Sequence, residues 1–401
     1  MKFGGTSLAD IDCISNVAER VLDQAKTFRK IVVVVSAMSG TTNQLIELAK
    51  STKKFSDPSE YDVVVSSGEQ ISAGLLSIVL KSKGLKSRSW MGWQIPLKTD
   101  NKFSKSLIEF IDIKDLNKSL EAGEIAVVTG FQGVNSQNRI TTLGRGGSDT
   151  SAVAIAAALK AERCDIYTDV DGIYTTDPRV VPKAKKLNRI SFEEMMEMSS
   201  QGAKVLQTRS VALAMREKVR LQVLSSFERK EGTYVLDEEE IMEKKIVSGI
   251  AFSLDESKVT VVGIPDKPGQ AAKLFGALQE ETINVDMIVQ SSSVDTNATD
   301  LTFTIPKSEL NRALEVIKEI KNEVGFLKLI SDTDVAKVSV IGIGMQSQSG
   351  VAQKMFDTLA EKSINLKVIS TSEIKISVLI EASYMELAVR SLHSAFGLDE
   401  D

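Results

Sequence analysis

The run Ile31-Val-Val-Val-Val35 decides the fold class of this chain. Consecutive β-branched residues are typical of a strand that is buried on both faces, as parallel strands between two helix layers are. The stretch before it has one apolar helix face, formed by residues three or four positions apart: Ile11, Ile14, Ala18, Val21, Ala25 and Phe28. A helix that leads into such a strand indicates an α/β fold.

The alternation of strand-like and helical patterns continues through residue 225. It predicts further strands at 125–129, 165–168 and 221–224, and helices at 62–81, 104–120, 148–161 and 203–217. Strands that alternate with helices usually form a mostly parallel sheet, because each helix returns the chain to the same edge. The N-terminal part is therefore predicted to be one α/β domain.

A charged stretch interrupts this pattern. It contains Glu228-Arg-Lys-Glu-Gly232 and Asp237-Glu-Glu-Glu240, which are typical of a solvated linker. We predict a first domain at 1–228 and a linker at 229–245.

The remaining chain contains an internal repeat. Val259-Thr-Val-Val-Gly-Ile264 matches Val338-Ser-Val-Ile-Gly-Ile343, and a shift of 81 positions gives ten identical pairs between 269–292 and 350–373. Each copy has the βαββαβ order of a ferredoxin-like unit. We assign 246–330 to the first copy and 331–401 to the second, with the strand at 246–252 belonging either to the first copy or to the second. Two such small sheets favour pairing, so a homodimer or higher homo-oligomer is expected.

Composition excludes several functions. With 49 Lys and Arg against 54 Asp and Glu the net charge is −5, and no basic stripe is present, which argues against nucleic acid as a partner. No apolar run of membrane-spanning length and no signal peptide stands out, so we expect a cytoplasmic protein with no membrane partner. Cys13 and Cys164 are too few for a disulfide framework or zinc cage. The single histidine, His393, argues against a Ser-His-Asp triad, and we interpret it as a half-buried residue of the last helix.

Two glycine-containing loops are candidate anion sites. Lys2-Phe-Gly-Gly-Thr-Ser7 leads into a helix, and its glycines, lysine and helix N-terminus together suit a phosphate. The alternative is an ordinary turn with a helix cap. Thr141-Thr-Leu-Gly-Arg-Gly-Gly-Ser-Asp149 also ends at a helix start, and Arg145 suits bidentate capture of a carboxylate.

Two acidic stretches are candidate binding sites. Ser66-Ser-Gly-Glu-Gln-Ile-Ser-Ala-Gly74 places Glu69 among small residues, where it holds an ammonium group or is simply a solvated helical glutamate. Tyr167-Thr-Asp-Val-Asp-Gly-Ile-Tyr174 and the following Thr-Thr-Asp-Pro-Arg179 would form a nucleotide edge only if the phosphates lie elsewhere, since carboxylates repel them.

Six stretches, taken in order, closely resemble the motifs of aspartokinases, the amino-acid-kinase-family enzymes that phosphorylate the side-chain carboxylate of aspartate. They are Lys-Phe-Gly-Gly-Thr-Ser at 2–7, Val-Ser-Ala-Met-Ser-Gly-Thr-Thr-Asn at 35–43, Ser-Gly-Glu at 67–69, Gly-Phe-Gln-Gly at 130–133, Thr-Leu-Gly-Arg-Gly-Gly-Ser-Asp-Thr-Ser at 142–151 and Thr-Asp-Val-Asp-Gly-Ile-Tyr-Thr-Thr-Asp-Pro-Arg at 168–179. The repeat resembles the tandem ACT domains of that family. The resemblance implies a three-layer αβα kinase domain with a mostly parallel sheet, followed by ferredoxin-like ACT units.

The resemblance also implies the reaction and its residues. The γ-phosphate of ATP, with Mg²⁺, would pass to the β-carboxylate of L-aspartate to give 4-phospho-L-aspartate, the first step of lysine, threonine and methionine biosynthesis. Lys2 would neutralise the transferred group and Asp149 would orient Lys2, while Glu69 receives the α-ammonium and Arg145 the α-carboxylate. Further aspartate contacts are implied at Thr42, Gly146, Gly147 and Ser148. The nucleotide contacts implied are Lys2, Phe3, Gly4, Gly5, Ser36, Thr168, Asp169, Tyr174, Asp177, Arg179, Lys204 and Val205. The metal ligands are not identified.

Feedback control by lysine, threonine or both is implied by the ACT repeats, with ACT units that only dimerise as the alternative. The implied effector contacts are Asp266, Lys267, Gly269, Gln270, Ala271, Asn284, Val285, Asp286, Asn365, Leu366, Thr371, Ser372 and Glu373.

Three positions depart from the family pattern. Members usually carry several apolar residues before the lysine, and this sequence starts at Met1-Lys2, so Lys2 is expected on a frayed terminus of a sheet that lacks a strand, with a misassigned start or impaired activity as the consequence. Gln348-Ser349 and Lys367 replace a common His-Pro and a common acid, which leaves the effector open. The alternative functions are a kinase for another amino acid such as glutamate, and a non-catalytic amino-acid-sensing subunit.

Overall fold

The computed structural model describes residues 1–52, 57–200, 205–241, 246–293 and 298–400. They form two compact units, each described separately below. The described residues of the first unit are 1–52, 57–173, 186–199 and 205–241, and those of the second are 174–185, 200, 246–293 and 298–400.

The elements before residue 241 alternate as the sequence predicts. The strands are β1 (Lys2–Phe3), β2 (Val32–Val35), β3 (Ser87–Trp90), β4 (Leu97–Thr99), β5 (Ile108–Ile111), β6 (Ile125–Thr129), β7 (Gln132–Val134), β8 (Ile140–Thr142), β9 (Cys164–Thr168), β10 (Arg189–Ser191), β11 (Leu221–Ser225) and β12 (Thr233–Leu236). The helices are α1 (Ile11–Ala25), α2 (Thr41–Lys50), α3 (Pro58–Val65), α4 (Ser67–Ser82), α5 (Lys114–Glu121), α6 (Gly147–Leu159), α7 (Phe192–Ser200) and α8 (Thr208–Glu217).

Eight strands of the first unit form one sheet in the order β10-β12-β11-β9-β1-β2-β6-β3. All neighbours pair in parallel except β11 and β12, so the predicted mostly parallel sheet is confirmed. Alternate residues of β2 point to opposite faces. Val33 and Val35 pack with α1 and α4, while α6 lies against β1, β2 and β9. The buried valine run thus lies between two helix layers.

A four-stranded sheet in the order β5-β4-β7-β8 adjoins this core, and it corrects the helix predicted at 104–120. The structure has strand β5, antiparallel to β4, and only then the short helix α5. Leu107 and Phe110 are exposed there, so the apolar spacing that favoured a helix does not mark a buried face. The pairing with β4 outweighs local helical periodicity.

The helix predicted at 62–81 is two helices, α3 and α4, which meet at Ser66. Among the described residues, the stretch Pro58–Ser82 is the one whose 25-residue length and mean hydropathy of 1.6 would also suit a membrane span. Half of its most apolar window is buried inside the protein, and Leu76 and Leu80 are fully buried. The core helix of a soluble protein has the same composition, so this stretch is weak evidence of a membrane span.

The second unit contains the two repeat copies. Its strands are β13 (Gly249–Ser253), β14 (Ser257–Pro265), β15 (Asp286–Ser293), β16 (Ala298–Ile305), β17 (Lys328–Asp332), β18 (Val335–Ile341), β19 (Val368–Thr371) and β20 (Lys375–Glu381). Its helices are α9 (Gln270–Glu280), α10 (Leu310–Glu319), α11 (Lys321–Val324), α12 (Val351–Glu361) and α13 (Met385–Ala395).

Two antiparallel four-stranded sheets result, in the orders β15-β16-β14-β17 and β13-β18-β20-β19. The first copy has its own four strands, as the βαββαβ pattern predicts. Among the described residues, the second copy contributes β18, β19 and β20, and β13 supplies its fourth strand by pairing antiparallel with β18. The strand that was open to either copy therefore lies in the second sheet. Gly269 and Gly350, which the repeat aligns, both precede a helix with positive φ (94° and 98°).

A segment between the glycine loops and the repeat also belongs to the second unit. Val180 and Val181 of residues 174–185 are buried in the core of the second repeat copy. The Ile250 N–H donates to the Thr175 carbonyl at 2.7 Å, and the Thr175 hydroxyl lies 2.9 Å from Nε2 of His393. His393 is fully buried, where a half-buried position was expected, and burial lowers its pKa because it disfavours the charged imidazolium.

Candidate active site

The loops after four neighbouring strands meet at one edge of the parallel sheet. Gly4 and Gly5 follow β1, residues 36–40 follow β2, Gly130 and Phe131 follow β6, and Thr168 ends β9. The carboxyl ends of parallel strands are where such sheets bind ligands. Space at Gly5 is tight, because a Cβ there would lie 3.0 Å from the Ala37 carbonyl oxygen.

Lys2 lies in the middle of this sheet and not on a frayed terminus. Its strand pairs with β2 on one side and β9 on the other, and Lys2 is 8% exposed. Hydrogen bonds to these two strands hold Lys2 in place, although it is only the second residue of the sequence. The Lys2 Nζ lies 2.5 Å from an Asp149 carboxylate oxygen at the start of α6, and both side chains are about nine-tenths buried. A lysine ammonium held in this way is a fixed positive charge at the edge of the glycine loop.

Glu69 is buried at the start of α4, 3% exposed. Its Oε1 accepts the Ala37 N–H at 3.0 Å, and its Oε2 has no hydrogen-bond partner among the described residues. Burial raises the pKa of Glu69 to about 7, because a desolvated carboxylate is unfavourable. The interpretation of Glu69 as a solvated helical glutamate is therefore wrong. A buried carboxylate with one unused oxygen is suited to a cationic ligand.

Arg145 is exposed on the loop between β8 and α6. The next residue, Gly146, has φ 71°, and a Cβ there would overlap the side chain of Gln207. The glycine thus lets the loop turn directly into α6, whose first residues Gly147, Ser148 and Asp149 are buried. An exposed guanidinium beside a helix N-terminus is suited to an anion.

These groups line one cavity of about 510 Å³. The predicted site residues in its lining are Lys2, Gly4, Gly5, Ser36, Thr42, Glu69, Arg145, Gly146, Gly147, Ser148, Asp149, Thr168, Asp169 and Val205. Two glycine loops, the buried Lys2–Asp149 ion pair, the buried Glu69 and the exposed Arg145 thus share a single space.

Four predicted nucleotide residues lie elsewhere, and one is outside the described residues. Phe3 is fully buried and stacks on Tyr167 with ring centroids 4.5 Å apart, so its side chain belongs to the core. Tyr174, Asp177 and Arg179 are in the second unit, where Arg179 and Asp177 form an ion pair of 2.7 Å. Lys204 lies outside the described residues.

Eight lining residues are not among the predicted site residues: Thr6, Ala37, Met38, Ser39, Gly40, Phe131, Gly144 and Gln207. Phe131 belongs to a quoted family motif, and it adopts φ 70°, which is strained for a bulky side chain and is a frequent mark of a functional site. Gln207 carries no motif signal, since its role follows only from the packing of α8 against the Arg145 loop.

The expected effector residues lie in both repeat copies, and Asn284 and Val285 of the first correspond to Asn365 and Leu366 of the second. In the first copy they surround the start of α9 and of β15: Asp266, Lys267, Gly269, Gln270, Ala271, Asn284, Val285 and Asp286. In the second they surround β19: Asn365, Leu366, Thr371, Ser372 and Glu373.

Asp286 has a partner that the sequence did not indicate. The Nζ of buried Lys337 lies 2.7 Å from the Asp286 carboxylate and 2.7 Å from that of Glu256. Burial alone would raise the pKa of Asp286, but the contact with Lys337 holds it below its usual value. An effector ammonium at Asp286 would therefore compete with Lys337.

The two units define a class of protein. A model described as the amino acid kinase family matches residues 1–225, and one described as the ACT domain matches 259–320 and 338–396. Both matches agree with the parallel sheet and the two antiparallel sheets. The class is an amino acid kinase with C-terminal ACT domains.

Relatives specify the member of that class. An aspartate kinase of Stutzerimonas stutzeri is 53% identical over 403 residues, which cover 99% of this chain and 97% of that protein. The solved structure of E. coli aspartokinase III in complex with aspartate and ADP has a TM-score of 0.83 and 27% identity, and the match covers 98% of each chain. Its complex with lysine and aspartate has a TM-score of 0.79, with the same identity and coverage. The chain belongs to the aspartate kinase family, and the predicted fold class and enzyme class are confirmed.

Proposed function

We propose that this aspartate kinase transfers the γ-phosphate of ATP to the β-carboxylate of L-aspartate in the cavity between Lys2 and Arg145. The products are 4-phospho-L-aspartate and ADP. The observation that carries this proposal is the lining of one cavity by a buried lysine, a buried glutamate with a free oxygen and an exposed arginine.

The phosphates of ATP bind at the glycine loop. Lys2 contacts the transferred phosphoryl group, and Asp149 holds the Lys2 ammonium in place. Backbone N–H groups near Gly4 and Gly5 approach the phosphate oxygens, since no side chain stands between them. The other nucleotide contacts are Phe3 through its backbone, Ser36, Thr168, Asp169 and Val205.

Aspartate binds between Glu69 and Arg145. The unused oxygen of Glu69 receives the α-ammonium group, and the Arg145 guanidinium takes the α-carboxylate as a bidentate pair. Thr42, Gly146, Gly147 and Ser148 complete this pocket. The β-carboxylate is then the free end of the substrate and faces the phosphates.

The chemistry needs no general base, because a carboxylate nucleophile is ionised at neutral pH. Catalysis consists of aligning two anions and offsetting their repulsion. The Lys2 ammonium and the N–H groups of the glycine loop supply positive charge where the phosphoryl group moves. The buried His393, which belongs to the second unit, has no part in these steps.

We expect Mg²⁺ to enter this site together with ATP, bound to its phosphates. Among the described residues no cluster of three acidic, histidine or cysteine side chains could hold a metal alone. Mg²⁺ is commonly bound by one or two carboxylates together with phosphates and water, and Asp169 is an exposed carboxylate in the cavity lining. When bound, the ion neutralises phosphate charge; Asp169 is the residue we expect to contact it.

We infer that the chain has a catalytic domain at 1–228, a linker at 229–245 and two regulatory ACT units at 246–330 and 331–401. The E. coli relative that holds lysine supports an amino-acid effector at the ACT units. Lysine, threonine or both bind at the residues expected above, around α9, β15 and β19. We also infer a cytoplasmic homodimer or higher homo-oligomer that assembles through the ACT units.

Lysine and threonine, alone and together, are expected to reduce the rate by about tenfold, a typical allosteric coupling. The reason is that an effector shifts the enzyme toward the state that binds it better. The measurement is the initial rate at subsaturating substrates during titration with each amino acid, with alanine as the control. Rates that stay flat in all three titrations would refute regulation by these two effectors.

The pH dependence of aspartate use is expected to follow Glu69. Its pKa of about 7 means that its charge is lost as the pH falls through neutrality, and the ammonium site is lost with it. We expect kcat/KM for aspartate to fall between about pH 8 and about pH 6, approaching tenfold per unit below the pKa. Glu69→Gln is expected to give a low and flat profile. Protonation of ATP affects both proteins equally, so parallel profiles would contradict the role of Glu69.

Glu69 is also expected to cost stability where it is ionised. Its pKa in the folded protein lies above its usual 4.5, so the folded state binds the proton more tightly. The wild type therefore loses stability as the pH rises from about 4.5 to about 7, and Glu69→Gln does not. The Tm of the variant minus that of the wild type should grow over this range and then level off. A constant difference would show that Glu69 is not desolvated.

The function itself is tested by trapping the acyl phosphate with hydroxylamine. Aspartate and ATP should give the hydroxamate, and glutamate should give at least about a hundredfold less, since one extra methylene misplaces the carboxylate. Comparable rates with glutamate would indicate a different amino acid kinase. A wild-type protein that binds lysine or threonine but forms no hydroxamate would indicate a sensing subunit.

A further inference from the structure

Two charged side chains outside the cavity, one fully buried and one half-buried, hold the loop that carries Arg145. They are Asp62, in α3, and Arg209, in α8, and neither has a part in the reaction proposed above. Each contacts one of the residues just before the loop turns at Gly144. The loop is therefore fixed where it leaves β8.

Asp62 is fully buried and accepts four hydrogen bonds. One carboxylate oxygen accepts the Thr142 N–H at 2.7 Å and the Ser104 N–H at 2.9 Å. The other accepts the Thr142 hydroxyl at 2.9 Å and the Ser104 hydroxyl at 3.2 Å. Among the described residues the charge is met by these donors and not by a cation. Burial raises the pKa of Asp62, although the four donors oppose this effect.

Arg209 contacts the same two chain segments as Asp62, at the residues that follow Thr142 and Ser104 in the sequence. Its Nη1 donates to the Leu143 carbonyl and its Nη2 to the Ser106 carbonyl, both at 2.7 Å. The Ser106 N–H in turn donates to the Thr142 carbonyl at 2.9 Å. Burial lowers the pKa of Arg209. Residues 104–106 and 142–143 are thus joined by one network with an acid at one end and a base at the other.

Removing one charge fully and a second charge partly from water is costly, and an apolar contact would join the two segments at lower cost. What the charged groups add is direction: each fixes the orientation of particular N–H, hydroxyl or carbonyl groups. Arg145 follows Leu143 by two residues and is itself exposed, so its position depends on the backbone that precedes it. Ordering that backbone in advance lowers the entropic cost of binding.

We propose that Asp62 and Arg209 are positioning residues, which set the conformation of residues 142–146 and thereby the place where Arg145 meets the α-carboxylate of aspartate. This inference rests on the proposed role of Arg145. It concerns the part of the cavity that binds the amino acid and not the part that binds the nucleotide. Substitution of either residue should therefore change the KM for aspartate and not the KM for ATP.

Steady-state kinetics of Asp62→Ala and Arg209→Ala test the proposal. We expect the KM for aspartate to rise by about tenfold or more, since small misplacements of a binding group have large effects. The KM for ATP should stay within about twofold. Asp62→Asn keeps one oxygen for the two N–H groups and should recover much of the loss. Arg216→Ala, an exposed change on the same helix that removes only a pair with Glu217, is the matched control.

A merely structural role predicts a different result. Asp62→Ala and Arg209→Ala would then lower Tm and leave the ratio of the two KM values unchanged, and this outcome would overturn the proposal. If the alanine variants do not fold, Thr142→Val and Arg209→Lys take their place, with an expected rise in the aspartate KM of about threefold; no rise would equally overturn it. Arg145→Leu is measured beside them. If it raises the aspartate KM and the others do not, only the positioning role fails; if it has no effect, the role of Arg145 fails too.

Discussion

Replacing Lys2 by alanine is expected to reduce kcat by about a thousandfold or more while the affinity for ATP falls by less than about tenfold. The ammonium group matters most when charge moves between the nucleotide and aspartate, and many other groups hold the nucleotide in the ground state. The measurements are hydroxamate formation at saturating substrates and ATP binding by calorimetry. A near-normal kcat in Lys2→Ala would refute the proposed role of Lys2 in phosphoryl transfer.

The Lys2→Ala variant also leaves Asp149 as a buried carboxylate without its cation, which lowers stability. Loss of activity must therefore be separated from loss of folding. The double variant Lys2→Ala/Asp149→Ala removes the unpaired charge, and we expect it to regain Tm but not turnover. Lys30→Ala, at an exposed lysine that pairs with Glu121, is the control for removing a surface charge. If the double variant regains turnover, the unpaired Asp149 and not the missing ammonium group was the cause.

Replacing Arg145 by leucine is expected to raise the KM for aspartate by about a hundredfold and to leave the KM for ATP nearly unchanged. A bidentate pair between guanidinium and carboxylate is among the stronger polar contacts. Among the described lining residues the other cation is Lys2, which is paired with Asp149. Arg145 is exposed, so Tm should not change. Arg145→Lys should give an intermediate KM, because an ammonium group makes a single contact.

The outcome that would contradict this role is an aspartate KM in Arg145→Leu within about twofold of the wild type. A fall in kcat with no change in KM would also contradict it, because the contact would then form only in the transition state. Arg139→Leu, at a partly exposed arginine that pairs with Glu60, is a suitable control.

The first unit shows what local sequence can predict. A run of valines is a strand in almost any context that buries both faces, and the structure has β2 at Val32–Val35. The helix predicted at 104–120 is wrong because its apolar residues pair across a small sheet, and pairing partners far along the chain cannot be read from spacing. Lys2 is ordered by strands 30 and more residues away, so its position in the chain was a poor guide.

The second unit shows a limit of a different kind. The repeat predicted two similar folds because aligned glycines and apolar residues have the same tasks in both, as at Gly269 and Gly350. The repeat could not show which sheet β13 joins, because the local sequence of a strand suits the open edge of either four-stranded sheet equally well.

Some residues of the candidate site could be predicted from the sequence, and others could not. Glycine, lysine and arginine in the loops could be found by motif, because the chemistry requires those residue types. Asp62, Arg209 and Lys337 had no such signal, because each is defined by the partners that surround it in the folded chain. The raised pKa of Glu69 likewise results from burial. The small residues beside it in the sequence suggested a binding site but did not show that the side chain is buried.

The most direct test is the structure of the enzyme crystallised with aspartate and a non-hydrolysable ATP analogue. We predict that the Lys2 ammonium contacts the terminal phosphate, that the Arg145 guanidinium holds the α-carboxylate, and that a β-carboxylate oxygen lies about 3–3.5 Å from the terminal phosphorus. Aspartate bound outside the cavity, or turned so that its α-carboxylate faces the phosphates, would contradict the account.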